Sequence, residues 1–503
     1  MTVFIIRRLV VSVITLLAAT FLVYVGTAIS GDPLQDLYGI ADQNEAEQQQ
    51  AERRRILQLD TPIPLRYLDW LGGLLRGDLG QNIRGQDVSA LLGSAMAATL
   101  KMVVVATVLA IVLGITVGVI SALRQYSGFD YSLTFAAFLF FSLPIFWVAV
   151  MLKQFAALEF NNWLREPTIP LPVILGVASV SALAWTATLG GDRQRRLTTL
   201  VLGFALTALL LLLLSTTRWF ADPGLGPLAV VLLAAGAAVG VTFVVAGFRY
   251  RRPLLAALVA AATGCVFYLF SEPVLAAPSF WVMLLLAVVA VGVSAGIGAA
   301  LGGLQRRQAV AASVLSGVAT GSLIILDYFL RAYEGYARKV RDRPVSTVGS
   351  ETPNFAGNFW EVGLDSFGHL LLPTMALLLV SFAVYTRYTR ASMLEVMNQD
   401  YVRTARAKGL IESTVVTKHA FRNALIPVTT LMAFDFGAVI GGAVITETIF
   451  GWQGMGFMFI TGLNEVDPAP VMAFFLVAGG SIVVFNMLVD IAYAYLDPRI
   501  RVS

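Results

Sequence analysis

The chain has 503 residues, of which 57% are hydrophobic and only 13% are charged. Soluble domains carry about 25% charged residues, so this composition excludes a soluble protein. The net charge of +4 is modest and the arginines lie at the ends of apolar segments, so nucleic acid is not a predicted partner. Apolar runs of about 20 residues recur, which is enough to cross a bilayer as helix, whereas a β-barrel would show short alternating segments. We therefore predict an all-α, polytopic membrane protein.

Residues 1–30 form the first predicted transmembrane helix. Arg7 and Arg8 precede an apolar run from Leu9 to Ile29. A cleaved signal peptide would have a shorter apolar region, about 7–15 residues, that ends at a small-residue cleavage site. We therefore expect a retained helix, and the two arginines place its N-terminus in the cytoplasm.

Residues 31–97 are polar and mixed, and they predict an external segment with one or two helices. Residues 98–158 contain the next two apolar segments, at 98–123 and 131–158. The loop between these two segments should lie in the cytoplasm. The region 159–330 then adds about six further transmembrane helices.

The six predicted helices of this insertion have connectors that alternate between basic and non-basic composition, as inside and outside loops do. The segments lie near 171–190, 197–217, 226–247, 254–271, 280–303 and 309–330. The first of them begins after two prolines and could be re-entrant, so the predicted total is twelve spans, with ten as the alternative. Their composition, dominated by Ala, Leu, Val and Gly, suits lipid-facing accessory helices.

Residues 331–368 are predicted as a second external segment, although the basic stretch 331–343 does not fit an outside position. Either an ordered external element carries this charge, or one span is miscounted. Residues 369–503 hold the last three apolar segments, at 369–388, 427–450 and 470–496. This count places the C-terminus, like the N-terminus, in the cytoplasm.

Neither a metal site nor an intrachain disulfide is predicted. Cys265 is the single cysteine and lies in an apolar segment, while His369 and His419 are the only histidines and are far apart in sequence. No phosphate-binding loop of the form G-x-x-x-x-G-K-[ST] occurs, so we expect no ATP hydrolysis by this chain and assign no catalytic residue.

The cytoplasmic loop 390–426 is the most informative polar stretch. Between Arg387 and Ala424 it carries seven Lys or Arg against three Asp or Glu. Residues 391–408 predict an amphipathic helix whose apolar face is Leu394, Met397, Tyr401, Val402 and Ala405. Gly409 predicts a left-handed helix end, Ser413 or Thr414 a helix cap, and Pro427 the start of the next span. These residues alone leave two readings open, a helix resting on anionic lipid or a docking site for another protein.

The loop resembles the EAA loop of ABC importer membrane subunits, above all in the peptide permeases. The segments "DYVRTARAKGL" and "KHAFRNALIP" carry this resemblance, and it continues in "FIIRRLVVSVITLLAATFLVYVGTAISGDP", "GGAVITETIFGWQGMG" and "NMLVDIAYAYLDPRIR". It covers about residues 1–160 and 365–503. The resemblance implies a six-helix type I importer permease core, with the helices of 159–330 inserted into it.

The resemblance also implies partners and site residues. A second homologous permease chain, two ATPase subunits that use ATP and Mg²⁺, and an extracytoplasmic substrate-binding protein would complete the importer, while this chain binds no cofactor itself. The loop would couple to the ATPase through Tyr401, Arg403, Thr404, Ala405, Arg406, Lys408, Gly409 and Leu410. Only Ala405 and Gly409 match the general motif, and this departure is typical of the peptide branch.

Two acidic residues are candidates for the translocation path. Asp435 lies inside the fifth core segment, where it would meet a cationic group of the substrate or make a packing hydrogen bond. Glu447 resembles a family residue near the outer mouth, where a gate or a binding-protein contact is expected. The alternative from another class is a secondary transporter driven by an ion gradient, although no repeat between the halves supports it.

Overall fold

The computed structural model describes residues 2–247 and 250–496, and of these the side chains at 2–5, 8, 433–434, 436–442, 486 and 488–496 lie outside the description. Within the described part all regular secondary structure is helical, apart from one isolated β-bridge between Gln81 and Asp87. The predicted all-α membrane fold is therefore confirmed.

The helices before the insertion are α1 (Thr2–Ile29), α2 (Gln43–Leu57), α3 (Ile63–Leu74), α4 (Val88–Leu123), α5 (Gly128–Ser142), α6 (Ile145–Met151) and α7 (Phe160–Leu164). Those of the insertion are α8 (Leu171–Leu189), α9 (Arg193–Thr216), α10 (Gly226–Ala246), α11 (Arg251–Leu269), α12 (Glu272–Leu275), α13 (Phe280–Leu301) and α14 (Arg306–Lys339). The C-terminal helices are α15 (Phe359–Met397), α16 (Asp400–Ala407), α17 (Glu412–Thr414), α18 (Phe421–Gly442), α19 (Val444–Phe450), α20 (Met455–Asn464) and α21 (Pro468–Leu496).

Ten described helices are long and apolar enough to cross a membrane, and the bent α5–α7 unit makes eleven if it counts as one span. The remaining predicted span, 427–450, is divided between α18 and α19, and most side chains in its middle lie outside the description. The first helix of the insertion, α8, is a continuous 19-residue helix that is long and apolar enough to cross a membrane.

Helix ends differ from the predicted boundaries because capping groups, not the edges of apolar runs, stop a helix. Helix α4 begins at Val88, ten residues before the predicted segment, where the Asp87 carboxylate accepts a hydrogen bond from Ser89 N at 2.8 Å. Helix α15 begins at Phe359 and not at 369, because Asn358 and Glu361 form a capping box. Helix α14 continues past 330 to Lys339.

The predicted single segment 131–158 is broken at Pro144. Helix α5 ends at Ser142, and the following helix, which runs to Leu164, turns away from it by 103°. A proline disfavours helical backbone in the residue before it, which explains the break at this position. The second arm also contains a π-helical stretch, Leu152–Glu159.

The centre of the core is the pair α4 and α15, which pack closely along glycines. A methyl group at Gly114 would lie 2.5 Å from Tyr385 Cβ, and one at Gly118 would lie 2.8 Å from both Thr386 O and Thr389 Cβ. These two glycines, four residues apart, allow the backbones of α4 and α15 to approach closely.

Two other glycine pairs with the same spacing, Gly236/Gly240 and Gly292/Gly296, do not form helix contacts. A methyl group on Gly236, Gly240, Gly292 or Gly296 would meet nothing within 4 Å, and all four glycines face outward. The insertion packs instead through Gly298 against Ser313 and through Gly317 against Ser294, between α13 and α14. Sequence spacing identifies small residues but not the face on which the neighbouring helix lies.

The insertion forms two units. Helices α8 and α9 make a hairpin beside α5, and α9 has no buried residue. Helices α10, α11, α13 and α14 form a bundle around small side chains such as Ala234, Ala257 and Ala312. This bundle joins the core mainly through α14 and α15.

The basic stretch 331–343 begins in the last turns of α14 and continues beyond the end of that helix at Lys339. Three of its cations are paired, as Arg331 with Asp327, Arg338 with Glu334, and Lys339 with Glu361. Helix α14, with 34 residues, is about 51 Å long, which exceeds the roughly 30 Å of a bilayer core. The end of α14 can therefore lie beyond the apolar layer, and the side of the membrane on which it lies stays a prediction.

Candidate coupling surface and translocation path

The coupling hairpin, residues 400–420, begins where α15 ends. Asn398 and Gln399 separate α15 from α16, so the predicted continuous helix 391–408 is in fact two helices. Gly409 follows with φ +74°, the predicted left-handed conformation, and a methyl group there would meet nothing within 4 Å. Glycine is therefore required at 409 by backbone conformation and not by space.

The second arm of the hairpin differs from the prediction. Ile411 occupies the cap position without a side-chain hydrogen bond, and both Ser413 and Thr414 lie inside the short α17. A π-helical turn, Val415–Ala420, then leads directly into α18, so Pro427 lies inside that helix and not at its start. Because this π-helical turn joins α18 directly, no loop separates the hairpin from α18.

One face of the hairpin is buried against the chain itself. Val402 and Ala405 pack in a cluster with Ala122 of α4, Met393 of α15 and the π-turn residues Val415, Val416 and Ala420. Next to this cluster, Ser392 Oγ of α15 donates a hydrogen bond to Ala424 O of α18 at 2.8 Å. Ala405 is therefore small because of this internal packing, and the hairpin is attached rigidly to α4 and α15.

The opposite face of the hairpin is exposed and partly apolar. Tyr401 is 41% exposed, Leu410 40% and Ile411 75%, and Thr404 and Lys408 lie on the same open surface. The helical spacing predicted Tyr401 on the buried apolar face, and this prediction is wrong because its side chain is exposed. Ile411 was not predicted as a contact residue, although an apolar residue directly after Gly409 and Leu410 in a polar turn is a signal that could have found it.

Charges of the hairpin are partly neutralised within it. Arg406 binds Glu412 through both its Nη2, at 2.7 Å, and its Nε, at 3.2 Å. This guanidinium holds the pKa of Glu412 below its usual value. Arg403 lies 3.8 Å from Asp400, with both side chains exposed, and Lys408 has no ion pair among the described residues. Lys408, like the exposed Lys418, is thus a cation available to a partner.

A buried ion pair near the hairpin end of α15 was not predicted. Arg390 of α15 donates to the Asp130 carboxylate of α5 through Nε, at 2.8 Å, and through Nη2, at 2.9 Å. Ser121 Oγ and Tyr126 N also donate to Asp130. This arrangement fixes α5 against α15 next to the loop that carries the hairpin.

Asp435 lies on α18 and is half-buried. The buried Tyr385 hydroxyl of α15 interacts with its carboxylate, although no described hydrogen bond of good geometry satisfies that hydroxyl. The contact favours a packing role for Asp435, and its role toward a substrate stays a prediction.

Glu447 is fully buried and holds the loop between α19 and α20. Its carboxylate accepts hydrogen bonds from Thr99 Oγ1 at 2.7 Å, from Gly456 N at 2.7 Å and from Phe457 N at 3.1 Å. A methyl group at Gly454 would lie 2.5 Å from this carboxylate. Glu447 therefore caps α20 and ties it to α4, and a role as a gate stays a prediction.

Comparison with known proteins agrees with this arrangement. Residues 253–502 match the family model of binding-protein-dependent transport system inner membrane components. The oligopeptide permease OppB of Mycobacterium tuberculosis is 42% identical over 156 residues, 31% of this chain and 48% of the relative. The oligopeptide permease AppB of Bacillus subtilis is 44% identical over 155 residues, 31% of this chain and 48% of the relative.

The dipeptide permease DppB of Escherichia coli is 43% identical over 145 residues, 29% of this chain and 42% of the relative. The chain thus spans about half the length of the curated relatives that it matches. With the family match across its C-terminal half and this similarity to peptide permeases, the chain belongs to the family of binding-protein-dependent transport system inner membrane components.

Proposed function

We propose that this chain is a permease subunit of an ATP-driven ABC importer and forms half of the translocation pathway for peptides. The observation that carries the proposal is the coupling hairpin, which has one face fixed to α4 and α15 and an apolar face open to a partner. A lipid-bound helix would need only an apolar face turned toward the bilayer. A mechanical coupler must in addition move as one body with the helices of the path, and the buried cluster around Val402 and Ala405 supplies that rigidity.

The proposed complex contains a second homologous permease chain, two ATPase subunits and an extracytoplasmic substrate-binding protein. ATP and Mg²⁺ would bind to the ATPase subunits, since the sequence contains no phosphate-binding loop. The chain would lie in the plasma membrane with both termini in the cytoplasm, because the basic loops then face inward. The names of the similar proteins, which are permeases for oligopeptides and dipeptides, support peptides as the substrate class.

Closing of the ATPase pair would move the hairpin, and with it α15 and α18, between two arrangements of the pathway. The Arg390–Asp130 pair would extend the movement to α5, because it clamps that helix to α15. The exposed residues Tyr401, Leu410 and Ile411 would fill an apolar groove of the ATPase, and Lys408 would face an acidic group at its rim.

Reconstitution tests this proposal. The chain, a second permease and the ATPase subunits from the same organism should co-purify. Liposomes that contain them should take up labelled peptide when ATP is inside and the substrate-binding protein is outside. Uptake that continues after ionophores abolish ion gradients supports the importer. Uptake that needs a gradient and proceeds without ATP would instead establish the secondary transporter.

A further inference from the structure

A second candidate site lies on the insertion, at the end of its helical bundle that is remote from Trp360. Tyr268, at the end of α11, and Tyr328, in the second half of α14, pack against Trp360 at the start of α15. All three helices are long and apolar enough to cross a membrane from this end. The first turns of α11 and α14 therefore lie on the same side of the apolar layer as the coupling hairpin, which follows the other end of α15.

Four arginines meet at this end of the bundle, and we call them the arginine patch. Arg251 and Arg252 begin α11, and Arg306 and Arg307 begin α14. A methyl group at Gly303, in the turn before α14, would collide with the Arg252 guanidinium, so the two pairs lie side by side. All four arginines are exposed. The patch is thus a single positively charged surface built from two helices.

No carboxylate balances the charge of the arginine patch. Among the described residues, none of its four side chains forms an ion pair or a hydrogen bond. From residue 223 to residue 326 the sequence has one acidic residue, Glu272, and its carboxylate accepts a hydrogen bond from the Tyr328 hydroxyl at the opposite end of the bundle. At that opposite end Arg331 is paired with the buried Asp327. The bundle therefore has one neutralised end and one end with four uncompensated positive charges.

The arginine patch lies at the level of a membrane surface. Helix α11 has 19 residues and is about 28 Å long, close to the roughly 30 Å of a bilayer core, so its first turn lies at the boundary of that core. Leu304, in the turn beside the patch, is 99% exposed. A leucine in this position is stabilised by contact with acyl chains, while neighbouring arginines extend toward the lipid phosphates.

We propose that the arginine patch binds the headgroup of an anionic phospholipid. The phosphate oxygens would accept hydrogen bonds from guanidinium groups of both α11 and α14, and Leu304 would lie among the acyl chains. A zwitterionic lipid offers the same phosphate, but the patch would repel its ammonium group. Each basic side chain near an anionic lipid surface strengthens binding about fivefold. The site goes beyond the proposed function, because it lies in the insertion and its occupancy requires no ATPase, second permease or transported substrate.

Native mass spectrometry of the purified full chain tests the lipid preference. From micelles with equal amounts of phosphatidylglycerol and phosphatidylcholine, the chain should retain phosphatidylglycerol at least about tenfold more often. Replacing the four arginines of the patch with glutamine should lower this ratio at least about fivefold. The matched control removes four other exposed arginines in the same way and should leave the ratio unchanged: Arg54→Gln, Arg55→Gln, Arg76→Gln and Arg218→Gln.

Three results of this experiment would overturn the proposal. The first is equal retention of the two lipids by the wild-type chain, and the second is the same ratio in the patch variant and the control variant. The third is loss of phosphatidylglycerol when inorganic phosphate is added in excess, because a free phosphate ion would then be the occupant. All four arginines are exposed, so the patch variant should unfold at the wild-type temperature.

A fluorescent label locates the bound lipid. Leu304→Cys carrying bimane, in a Cys265→Ala background, is placed in nanodiscs of both lipids, of which one is brominated. Brominated phosphatidylglycerol should quench the label more strongly than brominated phosphatidylcholine. The matched control is Trp281→Cys, at a residue 74% exposed at the opposite end of the bundle, which both lipids should quench equally. Equal quenching by the two lipids at position 304 would refute the assignment. Because the chain is tested alone, failure of peptide uptake in the reconstituted importer would leave this result unaffected.

Discussion

Replacing Ile411 with alanine should weaken ATPase binding without destabilising the permease. Ile411 is 75% exposed, so a partner groove could remove about three quarters of its surface from water. Full burial of an isoleucine is worth about 1.5–3 kcal/mol, which leaves about 1–2 kcal/mol for this contact. That free energy corresponds to an increase of about 5- to 30-fold in Kd.

The measurement is the affinity of the ATPase pair for the permease pair in nanodiscs, by biolayer interferometry. The matched control is Ile29→Ala, because Ile29 is 69% exposed at the end of α1, away from the hairpin. Both variants should unfold at the wild-type temperature, since neither side chain lies in the core. Equal Kd values for Ile411→Ala and Ile29→Ala would refute the inference that the hairpin's exposed face binds the ATPase.

Three further predictions concern the framework around the site. Gly118→Leu should cost at least about 1–3 kcal/mol of stability, since even a methyl group would lie 2.8 Å from Thr386 O. The control Gly240→Leu should be tolerated, because a methyl group at Gly240 would meet nothing within 4 Å. Equal unfolding temperatures for the two variants would contradict the packing of α4 on α15. Asp130→Asn should cost about 1.5–3 kcal/mol because it removes the charge-assisted hydrogen bonds to the partly exposed Arg390, and adding Arg390→Gln should recover part of the loss. A double variant as unstable as the sum of both singles would exclude this coupling. Burial raises the pKa of Asp467 from 3.8 to about 6. The protonated carboxyl therefore stabilises the fold below pH 4, and this stabilisation, at most about 3 kcal/mol, is lost as the pH rises through 6. Asp467→Asn should flatten the unfolding-temperature profile between pH 4 and 7, and an unchanged profile would contradict the assignment.

The pairing of charge at the end of α14 illustrates what composition could not supply. The positive-inside rule counts Lys and Arg residues near the ends of spans, so a basic stretch on the predicted outer side departs from it. In the structure, Arg331 lies 2.7 Å from the buried Asp327 and Lys339 lies 2.7 Å from Glu361. The two carboxylates belong to α14 and α15, and both helices extend beyond the apolar segments from which they were predicted. The ion pairs were therefore not visible in the sequence.

The sequence by itself determined the membrane class, most of the apolar helices and the place of the coupling hairpin. These follow from local chemistry, because a run of about 20 apolar residues has few alternatives to a spanning helix, and Gly409 marks a left-handed turn wherever it is placed. The family and the general role of the loop followed from motifs that lie within single segments.

Only the tertiary structure decided which residues of the hairpin are exposed and which hold the chain together. Ala405 and Glu447 carried functional expectations, yet one packs in the chain's own core and the other caps α20. Conversely, Ile411 and the Asp130–Arg390 pair acquire roles only when helices distant in sequence meet. A side chain's function depends on what the fold places opposite it, and helical spacing alone cannot give the identity of that neighbour.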